Sequence, residues 1–238
     1  MKHVLITGGT RGIGAAMVRA FVAQGYKVSF TYVHSHEKAK ELALETGATP
    51  ILADCASRDA IVKGVATAVA ANGGVDILVN NAAISSFSMA CDIAPSVWEG
   101  MMAVNLTAPF YFTQEVLSHM VHEKWGRIIN ISSIWGQTGS SCEVHYSTSK
   151  AGLIGMTQAL AKELGPSGIT VNCIAPGVID TEMNAMLTPE TKAELCEETP
   201  VGRLGAAEEV AATAFFLASC DAGFITGQVI GQNGGLYI

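Results

Sequence analysis

Short apolar runs rich in β-branched residues alternate with helix-patterned segments from one end of this chain to the other. That alternation constrains the fold more than any other feature. Residues 4–6, 26–33, 50–52, 75–79, 127–131, 169–173 and 228–230 read as strands. Helical patterns lie between them at 15–24, 37–45, 59–71, within 97–117 and at 146–164. Near-continuous apolar strands belong in a sheet covered on both faces, and strand–helix alternation implies parallel connections. The predicted architecture is α/β, one doubly wound parallel sheet with helices on both faces. No linker, repeat or low-complexity stretch divides the sequence, so residues 1–238 are expected to form one domain. The least regular stretch, 177–205, follows the sixth strand. A long insertion at that end of a strand is expected to act as a substrate lid.

Composition removes several classes of function. The chain has 238 residues, 49% of them hydrophobic, so it can bury a sizeable core. No uncharged apolar run reaches the length of a membrane span. The first residues, Met1 to Thr7, are too short for a signal-peptide core and run directly into a glycine-rich turn, so the chain is expected to be complete and cytoplasmic. Cys55, Cys91, Cys142, Cys173, Cys196 and Cys220 show no C-x-x-C spacing. They are expected to be free thiols, with neither a metal site nor a disulfide framework. A net charge of −7 argues against a nucleic-acid surface.

Chemistry enters with Thr7-Gly8-Gly9-Thr10-Arg11-Gly12-Ile13-Gly14, which follows the first strand and opens the first helix. Glycine lets the backbone turn tightly and approach a pyrophosphate, whose charge meets the helix N-terminus. Gly8, Thr10, Arg11, Gly12, Ile13 and Gly14 are therefore expected to hold a dinucleotide. The second strand ends Tyr32-Val33-His34-Ser35-His36, with no carboxylate before Glu37 to hold ribose hydroxyls. Arg11 would meet a 2′-phosphate, with His34 and Ser35 as supporting donors, and the expected cofactor is NADP(H). Further on, Tyr146 and Lys150 stand four residues apart, on one face of a helix. An ammonium beside a phenol favours the phenolate and draws its pKa towards neutrality.

The glycine turn, Asn80-Asn81-Ala82-Ala83, Asn105, Ser133, Tyr146-x-x-x-Lys150 and Pro176-Gly177 occur together in this order. With them the chain resembles the classical short-chain dehydrogenase/reductases, a Rossmann-like family, over essentially its whole length. The resemblance implies that Tyr146 exchanges a proton with the substrate oxygen and that Lys150 lowers the tyrosine pKa and holds the nicotinamide ribose. Ser133 would hydrogen-bond the substrate oxygen, and Asn105 would kink its helix and hold a water linking Lys150 to solvent. Each has a competitor: Ser132 for the substrate-facing serine, since alternation along the strand should turn only one of the two to the cleft, and an ordinary buried amide for Asn105. Asp54 would contact the adenine, Asn81 and Ala82 the adenosine ribose, and Ile179 and Thr181, past Pro176 and Gly177, the carboxamide and phosphates. Ala83 stands where the family usually has glycine, which is tolerable if its backbone is ordinary.

Among the subgroups, the sequence is most similar to 3-oxoacyl-(acyl-carrier-protein) reductases and their acetoacetyl-CoA relatives. The resemblance implies an NADPH-dependent reductase of a 3-oxoacyl thioester, with acetoacetyl-CoA or another small ketone as the alternative substrate. A carrier protein is acidic and needs a basic dock. Lys124 lies where one such cation is expected, but Ser167 replaces the second. The apolar C-terminus, Gly-Gly-Leu-Tyr-Ile238, is expected to pack in a homotetramer. A different class, a non-catalytic NADP-binding sensor or scaffold, would be expected to lose the tyrosine or lysine, and both are present.

Overall fold

The computed structural model describes residues 1–185 and 187–238; Met186, inside the segment expected to form a lid, lies outside the described residues. Seven parallel strands form one sheet in the order β3-β2-β1-β4-β5-β6-β7. They are β1 (His3–Ile6), β2 (Lys27–Tyr32), β3 (Thr49–Leu52), β4 (Ile77–Asn80), β5 (Gly126–Ile131), β6 (Ile169–Pro176) and β7 (Val229–Gln232). Because side chains alternate across a strand, β1 feeds two cores. Val4 and Ile6 join Met17, Val18 and Phe21 of α1 (Gly12–Ala23) and Val210, Ala214 and Leu217 of α9 (Ala207–Ala218). Leu5 faces the other way, with Ile61 of α3 (Arg58–Asn72), Phe112 of α5 (Ala108–Glu123) and Leu160 of α7 (Val144–Leu164). The doubly wound sheet read from the alternation is what forms.

Remaining helices are α2 (His36–Thr46), α4 (Pro95–Met102), the single turn α6 (Trp135–Thr138) and α8 (Pro189–Glu198). The helix expected within 97–117 is not continuous, since α4 passes into α5 through a π-helical stretch, Ala103–Thr107. Pro109 supplies a reason: it has no N–H for the carbonyl of Asn105, four residues earlier, so α-helical bonding fails there. The stretch 177–205, expected to be irregular, contains α8, and its two ends are stitched together. Ile179 bridges Gly205, while Asp180 N–H donates to the Gly205 carbonyl at 2.9 Å. No helix among the described residues is long and apolar enough to cross a membrane.

Candidate active site

Strand order reverses where β1 lies between β2 and β4, and the carboxyl ends of β1, β4, β5 and β6 open there on a cleft of about 490 Å³. Every residue expected to bind the cofactor lines this cleft, from the glycine turn to Thr181, as do Ser133, Tyr146 and Lys150. The turn after β1 needs its glycines. Gly8 and Gly12 adopt φ of 67° and 49°, and a Cβ on Gly14 would overlap the Gly8 carbonyl oxygen. Thr7, which the sequence reading did not single out, bolts the turn to the end of β4. Its hydroxyl accepts from the N–H groups of Asn81 and Ala82, both at 2.9 Å. Asn81 returns its amide to the carbonyls of Thr7 (2.9 Å) and Gly8 (3.1 Å). A polar residue ending an otherwise apolar strand was the available signal. Ala83 has no positive φ, so its methyl is accommodated without backbone strain.

This cradle fits a dinucleotide pyrophosphate: bare backbone, no Cβ in the way, and the N-terminus of α1 facing the cleft. Arg11 and Ser35 start α1 and α2, yet neither spends its side chain on capping its helix. Both line the cleft beside His34. Asp54 borders the same end, its carboxylate accepting from the Ala56 N–H at 2.8 Å.

At the other end, Ser132 and Ser133 both border the cleft, contrary to the expected alternation, because β5 ends at Ile131 and both lie beyond it. Their hydrogen bonds distinguish them. Ser132 donates its hydroxyl proton to the Lys150 carbonyl at 2.9 Å. The Ser133 oxygen accepts from the Trp135 N–H at 3.1 Å, which leaves its own proton to give. Ser133 also interacts with the Tyr146 hydroxyl.

Burial pushes the Tyr146 phenol up to about 12; Ser133 opposes this and the charge of Glu143 adds to it. Burial also draws Lys150 down to about 8. The ammonium donates to the Ile131 carbonyl at 2.8 Å and stands 5.7 Å from the centroid of the Tyr146 ring. Burial is the largest influence on each of the two groups. Glu143, also missed in the sequence, is buried against the cleft just before α7, and burial raises its carboxyl pKa.

Asn105 lies in the π-helical stretch and does not line the cleft. Its amide accepts from Ile84 N–H and donates to Ile84 carbonyl, both at 2.9 Å, and reaches Ser149 at 3.2 Å. Ser149 in turn donates to the Tyr146 carbonyl at 2.7 Å. The side chain thus fastens the loop after β4 to the helix carrying Tyr146.

A sequence-family model described as enoyl-(acyl carrier protein) reductase matches residues 8–237. An acetoacetyl-CoA reductase of Rhizobium meliloti (strain 1021) is 47% identical over 237 residues, covering 99% of this chain and 98% of that protein. A 3-oxoacyl-(acyl-carrier-protein) reductase of Aquifex aeolicus (strain VF5) is 43% identical over 242 residues, covering 99% and 97%. A solved double mutant of a Serratia marcescens short-chain dehydrogenase/reductase superposes with a TM-score of 0.91 at 35% identity, covering 99% of this chain and 97% of that one. A doubly wound sheet with this cleft and these relatives defines an oxidoreductase that interconverts alcohols and carbonyls with a nicotinamide cofactor. The chain belongs to the short-chain dehydrogenase/reductase family.

Proposed function

We propose that the protein is an NADPH-dependent reductase of 3-oxoacyl thioesters. The observation that carries the reading is Tyr146, still protonated at neutral pH, beside a serine with a proton to give, in the cleft that the glycine turn opens. The 2′-phosphate would meet Arg11, with His34 and Ser35 beside it. When bound, the cofactor supplies a hydride. Tyr146 would deliver its proton to the substrate oxygen, while Ser133 donates a hydrogen bond to that oxygen as negative charge develops. Lys150 would hold the nicotinamide ribose, and Asn105 would act through its hold on the Ile84 loop. The stitched segment 177–205 would serve as the lid.

A thioester is favoured because the relatives from Rhizobium meliloti and Aquifex aeolicus carry names for reductases of two such substrates. Acetoacetyl-CoA is the second reading, supported by Ser167, which stands where a second docking cation is expected. We place the reaction in the cytoplasm. The test is NADPH oxidation with acetoacetyl-CoA, a carrier-protein thioester and simple ketones, in wild type and Tyr146→Phe. Turnover should fall at least about 100-fold with NADPH affinity kept; turnover that survives the substitution would refute the mechanism. The fully exposed Phe224 and Ile238 support a homotetramer, and a monomer in light scattering would overturn that.

A further inference from the structure

Glu182 begins the short 3₁₀ turn Glu182–Asn184 within the segment that follows β6. Its carboxylate takes Lys38, in the first turn of α2, at 3.3 Å across 144 positions of sequence. It also overhangs the glycine turn: a methyl on Gly12 would lie 3.3 Å from Thr181 and 3.8 Å from Glu182 Oε2. Its own backbone N–H, then Lys38, then Arg11 hold the carboxyl below the usual range. Of the neighbouring carboxylates, Glu37 pairs with Lys40 and Asp180 with Lys192. Glu182 thus pairs with Lys38, and with Arg11 the two line one depression that adjoins the cleft at the corner where the NADPH reading places a phosphate, Arg11 and Glu182 bordering both.

We infer that Glu182 competes with the cofactor's 2′-phosphate for Arg11 and Lys38, and that Lys38 is the second cation of that subsite. The inference rests on the NADPH reading. A dianionic phosphate out-competes a single carboxylate for two cations. Binding then frees Glu182, and with it Thr181 and the turn they share, from α2. A cofactor without that phosphate leaves the pair in place. Lid position and cofactor identity are coupled through one exposed ion pair.

The test is direct titration of NADPH and NADH, without substrate, by protein fluorescence in wild type, Glu182→Gln, Lys38→Ala and the double variant. NADH affinity reports that each variant is folded. An exposed ion pair is worth at most about a fivefold change in affinity. Glu182→Gln should tighten NADPH about two- to fivefold on that scale and leave NADH unchanged. Lys38→Ala should weaken NADPH, and in its background Glu182→Gln should gain less. NADPH affinity that is unchanged or weaker in Glu182→Gln, or an equal gain for both cofactors, overturns the competition. A wild type that prefers NADH removes the NADPH reading itself, and the competition with it.

Discussion

Replacing Lys150 with methionine should abolish turnover and make the protein more stable. Lys150 is 2% exposed, and burial draws its pKa from the usual 10.5 to about 8. Its ammonium donates to one backbone carbonyl, that of Ile131 at 2.8 Å. Each pH unit of depression is worth about 1.4 kcal/mol. Holding this charge in the folded protein at neutral pH thus costs about 3 kcal/mol. Methionine fills similar space without the charge, while the lost hydrogen bond returns about 1 kcal/mol. The net gain is about 2 kcal/mol, or about 4–8 °C in Tm for a chain of this size. The pH dependence is the discriminating measurement. Below pH 8, Lys150 is protonated both folded and unfolded, and the cost is complete. From pH 8 to 10.5 the unfolded chain keeps a proton that the folded protein has released, so wild-type stability rises with pH and the variant's advantage shrinks. Urea melts at one protein concentration, at neutral pH and at about pH 9.5, read this directly. A variant less stable at neutral pH, or an advantage of the same size at both, would refute the assignment of Lys150 as a buried charge held at a cost.

Two further substitutions probe the scaffold around the chemistry. Gly14→Ala sets a methyl against the Gly8 carbonyl oxygen and 2.8 Å from the Asn81 amide nitrogen. The turn must open, and NADPH affinity by calorimetry should fall about tenfold or more. Asn105→Ala strands both the N–H and the carbonyl of Ile84, and should cost about 2–3 kcal/mol in urea melts.

The sheet was legible because buried parallel strands leave little choice of residue. The run at 127–131 puts isoleucine on both faces, Ile128 on one and Ile129 and Ile131 on the other, and β5 spans Gly126–Ile131. Three α-helices were not read, the single turn α6 and the longer α8 and α9. None of the described residues of α8 is buried, so it carries no apolar stripe for a periodicity argument to find. Its signature is instead at its start, where Thr188 caps it by accepting from the Thr191 N–H at 3.2 Å and Pro189 opens the first turn. Helix α9 is alanine-rich and pressed against α1, with Val210, Ala211, Ala214 and Leu217 buried. Small residues permit that close approach while blurring the contrast between its faces. The break at Asn105 had its own mark in Pro109, which is visible only when the missing donor is counted four residues back.

What spacing could not reveal is the dielectric around Tyr146 and Lys150. Four residues of separation place the pair on one face, but whether the ammonium lowers the phenol pKa depends on what surrounds both. Here each is displaced towards its neutral form, the phenol to about 12 and the amine to about 8. That asymmetry bears on the pH dependence of each direction. A phenol near 12 holds its proton almost completely at neutral pH, which is the state a carbonyl reduction consumes. The reverse oxidation would need the phenolate, which burial and the charge of Glu143 both oppose. Relieving that opposition with Glu143→Gln should therefore shift the kcat/KM–pH profile of alcohol oxidation to lower pH, and an unmoved profile would refute the role given to Glu143.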